Sequence, residues 1–245
     1  MGLRVALSAI GLCWALAACD DHQTALLTNA EIESVGILAI QAKKPAAIAQ
    51  LARWAQDGHL VAQRELALAY SANPQNWHLA LQWFQKAAEG GDCEAQFELA
   101  NAHLYAKLGL LQDYSQAWIL YEKAAMQGEG KASFMLARMA RHGWGMVPSA
   151  QISAHWLIES SRQENAQAMY ELSVVYAQGD GLPRDKEKSR YWLTMSADYD
   201  YKIAMQALAL ELDGVGGQDS NASQRSKLLM KEASDHRLMN WNTNL

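Results

Sequence analysis

Cysteine, histidine and serine are the side chains with which this chain could do chemistry, and their spacing decides what that chemistry could be. A metal centre needs His, Cys or carboxylate ligands at fixed intervals. The seven histidines are scattered, no His-Glu-x-x-His occurs, and Cys93 has no cysteine near it. A nucleophilic cysteine needs a base beside it to raise its thiolate fraction. Cys93 stands in the turn Gly90-Gly91-Asp92-Cys93, where no sequence neighbour supplies one. Ser-x-x-Lys is absent, since neither Ser226-Lys227 nor Ser115-Gln116 fits it. The glycine pairs in Gly143-Trp144-Gly145 and Gly179-Asp180-Gly181 lack the preceding strand and the following Gly-Lys-Ser/Thr of a phosphate loop, and read as turns. The sequence therefore predicts no catalytic residue, no metal ligand and no cofactor. An enzyme acting on cell-wall or β-lactam substrates is the competing class. It would need a concentrated polar site with perturbed groups, where this sequence offers dispersed ones.

Cys19 is the cysteine with a defined chemical context. The chain begins MGLRVALSAIGLCWALAAC: one charge at Arg4, an apolar run from Val5 to Leu16, then Ala17 and Ala18. That is the layout of a secretory signal, too short for a comfortable membrane span. Leu16-Ala17-Ala18-Cys19 resembles a bacterial lipobox, which implies cleavage before Cys19 and its diacylation, each buried CH₂ contributing about 0.8 kcal/mol of membrane affinity. Asp20 and Asp21 follow. An aspartate there resembles the enterobacterial signal for retention at the inner membrane, so the expected location is the periplasmic side of that membrane, with the outer membrane kept open. Cys93 alone cannot build an intramolecular disulfide framework.

The elements that would position any site are helical. Only four prolines occur in 245 residues, half of the residues are apolar, and the formal net charge is −5. No basic run marks a nucleic-acid footprint. Residues 20–28 read as a tether. Thr28-Asn29-Ala30-Glu31 resembles a capping box opening a helix within 29–46, and Pro45 suits the first turn of the next helix.

From residue 47 the chain repeats. Ala47, Ala80, Ala117, Ser153, Ser189 and Ser226 align, and fifteen residues after the first five stand Ala62, Ala95, Ala132, Ala168 and Ala204. Each of those alanines is followed, four residues on, by Leu66, Leu99, Leu136, Leu172 or Leu208. The spacing from second helix to next first helix is constant, and length variation falls in the loop inside each unit, as expected if helix packing is fixed and that loop is exposed. A half-repeat at 47–61 and units starting at 62, 95, 132, 168 and 204 fill residues 47–237, leaving 238–245 as a tail. The unit resembles the Sel1-like repeat, a tetratricopeptide-related helical hairpin, in Leu172, Tyr176, Gly179-Asp180-Gly181-Leu182-Pro183, Asp185 and Trp192. The endings Lys86-Ala87-Ala88-Glu89-Gly90 and Lys123-Ala124-Ala125-Met126-Gln127-Gly128 resemble it too. Ser71 to Trp77 lacks the double glycine, the next loop is degenerate, and Glu164 and Asp200 stand where a glycine is usual. The resemblance implies an all-α, right-handed solenoid whose first helices line the concave face.

Trp83, Trp156 and Trp192 share one second-helix position and are expected in the core. Phe97, Phe134 and Tyr170 share one first-helix position and are read as structural. Polar residues that vary between copies on the first helices are the recognition candidates: Glu65, Glu98, Asn101, Arg138, Arg141, His142, Glu171 and Gln178, with the two arginines foremost. The expected function is a membrane-anchored periplasmic scaffold that binds another protein. In one role it is an immunity protein against a secreted antibacterial effector such as a phospholipase, and in the other an adaptor for an envelope complex. No nucleic-acid partner is expected.

Overall fold

The computed structural model describes residues 27–215 and 220–242. The leader with Cys19 lies outside them, as do residues 243–245 of the tail. The described residues form twelve α-helices, one single-turn 3₁₀ helix and no strand. α1 (Asn29–Ile40) opens on Thr28, whose hydroxyl accepts from the Glu31 N–H at 3.3 Å while the Glu31 carboxylate accepts from the Thr28 N–H at 2.8 Å. α2 (Pro45–Gln56) starts on its proline. Five hairpins follow: α3 (Leu60–Ser71) with α4 (Trp77–Glu89), α5 (Cys93–Leu104) with α6 (Tyr114–Met126), α7 (Gly130–His142) with α8 (Ala150–Arg162), α9 (Ala166–Gln178) with α10 (Lys186–Asp198), and α11 (Lys202–Val215) with α12 (Ser220–Asn242). α12 runs through most of the stretch expected as a tail.

Each helix packs on its neighbours in the chain, and α1 also lies across α3. This is the solenoid expected from the constant spacing. The aligned alanines and leucines build its axis: Ala62, Ala132, Ala168 and Ala204, with Leu66, Leu136 and Leu172, have no exposed surface. The first helices begin two residues before those alanines, at 60, 93, 130, 166 and 202.

Constancy of register has a local cause. Every connection from a second helix to the next first helix has three residues: 57–59, 90–92, 127–129, 163–165 and 199–201. The middle residue always takes a positive φ, whether it is Gly58 (94°), Gly91 (99°), Gly128 (92°), Glu164 (62°) or Asp200 (59°). The departures from glycine therefore left the turn's shape intact. Side chains stitch the same junction. The Gln63 amide donates to Ala55 O at 3.1 Å and the Gln96 amide to Ala88 O at 3.0 Å. In the next unit Ser133 replaces that glutamine and donates to the Gln163 side chain at 2.7 Å, which itself reaches Ala125 O at 3.1 Å.

The tryptophan expectation needs correcting. Trp83, Trp156 and Trp192 are only half-buried, at the rims of the core clusters. After Trp83 and Trp156 the interior residue is the next one, Phe84 or Leu157, as is Tyr121 at the same position of α6, each at most 2% exposed. Leu193, after Trp192, is itself only half-buried. Each of these indoles packs against a core cluster with part of its surface left exposed.

Candidate binding face

The candidate residues sit at recurring positions of the first helices, and the solenoid gives them different fates. Glu65, Glu98 and Glu171 are each the sixth residue of their helix, in α3, α5 and α9. Glu65 is not available for recognition: it is 7% exposed, bonded to Arg64 at 3.1–3.2 Å, and covered by α1, where a Cβ on Gly36 would run into its carboxylate. Burial pushes its pKa up against the pull of the Arg64 charge. The sequence reading missed Arg64. Its guanidinium is ringed by Glu33 (3.0 Å), Glu65 (3.1 Å), Asp92 (3.2 Å) and Glu94 (3.2 Å), an ion cluster binding α1, α3 and the start of α5. The signal was present, because Arg64 is the one charge among the aromatics Phe97, Phe134 and Tyr170.

Beyond that cluster the face opens. Asn101 is half-buried and accepts the Tyr121 hydroxyl at 2.7 Å. Burial raises the pKa of that phenol, with Tyr105 and Glu98 adding to the effect and Arg138 opposing it. Arg138 is half-buried and lies over the Trp144 ring, 5.6 Å from its centroid. Trp144 also stacks on His142 at 5.2 Å and on Tyr114 at 6.5 Å. The turn glycines make that indole possible: Gly143 and Gly145 take φ of 71° and 79°, and a Cβ on Gly145 would meet the Tyr114 Cβ at 2.7 Å. Trp144 is thus a second residue that sequence reasoning passed over, as one bulky side chain inside a turn.

Arg141 is exposed and pairs with Asp180 at 2.9 Å, across to the loop of the next repeat. Glu171 is half-buried; burial raises its pKa, and Arg141, Arg138 and His142 pull it back. Gln178 is exposed at the end of α9. The structure therefore brings Arg138, Arg141 and His142 into electrostatic reach of Glu171, with Trp144 against Arg138 and His142, and leaves Glu65 elsewhere. Glu98 and Asn101 continue the same face toward α5.

Cys93 opens α5 as its first residue, and Asp92 caps that helix. A helix N-terminus ordinarily favours a thiolate. Here burial, then Asp92, Glu129 and Glu94, push the thiol pKa up. Among the described residues no three His, Cys, Asp or Glu side chains are grouped to hold a metal ion, and no helix is long and apolar enough to cross a membrane.

The Sel1 repeat model matches residues 60–92, 93–129, 130–165 and 166–198, each unit beginning at the first residue of α3, α5, α7 or α9. The chain belongs to the Sel1-repeat family. A Sel1 repeat protein from Oxalobacter formigenes shares the fold at TM-score 0.74 and 23% identity, over 87% of this chain and 90% of that one. The Sel1-repeat-containing protein YjcO of Escherichia coli (strain K12) is 31% identical over 119 residues, which are 47% of this chain and 51% of that protein, so the match spans about half of its length. The fold also occurs in the immunity protein PA5088 of Pseudomonas aeruginosa, at TM-score 0.52 and 18% identity over 83% of this chain and 78% of that one. As a Sel1-repeat solenoid, the chain is a scaffold of the kind that presents an extended face to other proteins.

Proposed function

We propose that this scaffold binds another protein through the α7–α9 face, without catalysis, while lipid on Cys19 holds it at the periplasmic side of the inner membrane. The observation that carries the binding reading is Arg138. It is half-buried against Trp144 and makes no ion pair among the described residues, beside an Arg141 held by Asp180 alone. Arginine on an aromatic platform is what binding hot spots are built from. The shared fold with an immunity protein supports one role over others, that of neutralising an antibacterial effector in the compartment where it acts.

The test is capture of tagged, lipidated protein from crosslinked envelopes, beside an Arg138→Glu/Arg141→Glu variant of unchanged helicity. One dominant partner, lost in the variant, supports the face. A toxin-like protein from the adjacent reading frame supports immunity, whereas a secretion or polysaccharide component would replace it with the adaptor role. A partner retained by the variant, or none above background, overturns the reading. Cys19→Ala is expected to abolish incorporation of labelled palmitate and release the protein from membranes.

A further inference from the structure

Repeat symmetry shows what one of the three equivalent glutamates lacks. Glu65 has Arg64 beside it. Glu171 makes no direct ion pair among the described residues, but Arg138 and Arg141, the ninth and twelfth residues of the preceding first helix, act on it electrostatically. The residues equivalent to those arginines before Glu98 are Leu68 and Ser71 of α3, and Glu98 makes no ion pair among the described residues. In place of a cation stands a cleft of about 330 Å³, lined by Leu68, Ser71, Trp77, Phe84, Glu98 and Leu108. Lys107 lies at the same cleft, but its ammonium sits over the Tyr105 ring, 5.3 Å from the centroid. The walls come from α3, α4, α5 and the loop after α5, and the two loops that flank them are those in which this chain departs from its own repeat. One contains the 3₁₀ turn Pro74–Asn76 and leads into Trp77, whose ring N–H donates to Ser71 O at 3.1 Å. The other holds Ala106 and Leu108 at φ of 53° and 57°, a conformation side chains rarely adopt and one that collects at functional sites.

The geometry points to this cleft as the seat of an arginine side chain presented by a partner polypeptide, an assignment that rests on the scaffold reading above. The apolar stem fits against Leu68 and Leu108, and the planar head suits both the Trp77 ring and the Glu98 carboxylate. The partner's guanidinium supplies at Glu98 the positive charge that Arg138 and Arg141 bring to bear on Glu171. The volume is at the lower end of ligand pockets, about 300–1,000 Å³, in keeping with one side chain rather than a whole ligand.

The test needs no partner protein, so it stands whatever the fate of the Arg138/Arg141 variant. Full-length protein carrying 5-fluorotryptophan is titrated with acetyl-Gly-Arg-Gly-amide and followed by fluorine NMR, the Trp77 resonance being assigned with Trp77→Phe. The expected result is a saturable shift of that resonance, weakened roughly tenfold by Glu98→Gln. It is lost in Leu68→Arg, which supplies the cation from within, and strengthened by Lys107→Gln. The matched leucine and lysine peptides bind roughly tenfold more weakly. No saturable shift, a shift indifferent to both Glu98→Gln and Leu68→Arg, or an equal response to the leucine or lysine peptide overturns the assignment.

Discussion

Equivalent residues of this chain behave differently because their neighbours differ, and Arg64 and Glu171 are the sharpest cases. Arg64 is the cation that makes burial of Glu65 and Asp92 tolerable; only 10% and 7% of those side chains are exposed. Arg64→Met keeps the apolar stem and leaves the carboxylates unpaired, so a loss of about 3–5 kcal/mol is expected in urea unfolding. A loss under about 1 kcal/mol would mean that water already solvates the cluster. Glu171 sets a pH dependence. Its folded pKa lies above the ordinary 4.5, mainly through burial. The folded state thus holds the proton more tightly than the unfolded chain, and the stability so gained is full below the ordinary value and lost as pH rises through the raised one. Glu171→Gln is expected to be more stable than the parent at pH 7, with the gain vanishing below about pH 4. A variant less stable at pH 7 would show that the pull of Arg138 and Arg141 outweighs burial.

At the scale of the element, the turns hold the register, and two kinds of glycine serve them. Gly91 takes φ of 99° with nothing within 4 Å of a Cβ built on it, so Gly91→Ala meets only the backbone cost, about 1–2 kcal/mol. Gly181 takes φ of 83°, and a Cβ there would collide with the Ala150 carbonyl at the start of the preceding second helix. Gly181→Ala is therefore expected to cost more than Gly91→Ala, and equal melting temperatures for the two would sink the close-approach account. The helices themselves were legible because alanine and leucine recur with a period that the three-residue turns preserve. The innermost side chain of the second helix was not. Periodicity brings both Trp83 and Phe84 toward the core, and only the space between stacked helices decides which is enclosed.

For the molecule as a whole, contacts run between chain neighbours, so stability varies along the array. α7 buries eight residues, from Ala132 to Ala140, whereas α10 buries only Ser196 and Ala197. Amide exchange is expected to be slowest in α7 and faster in α10, and uniform protection would contradict a nearest-neighbour solenoid. The binding face was readable in part for a related reason. Arg138, Arg141, His142 and Glu171 belong to adjacent repeats, and adjacency follows from the register. Glu65 misled because the helix that covers it lies outside the repeating pattern, and nothing in the glutamate column separates it from Glu98 or Glu171.

That covering helix also restricts how copies of the chain could join. A stack of hairpins ends in two faces, each shaped to receive another hairpin, and head-to-tail docking of such faces propagates into fibres. With α1 laid over α3 and Gly36 seated on Glu65, the leading face is occupied by the chain itself. Docking of another hairpin onto α3 would first have to displace α1 and open the Arg64 ion cluster that ties it down.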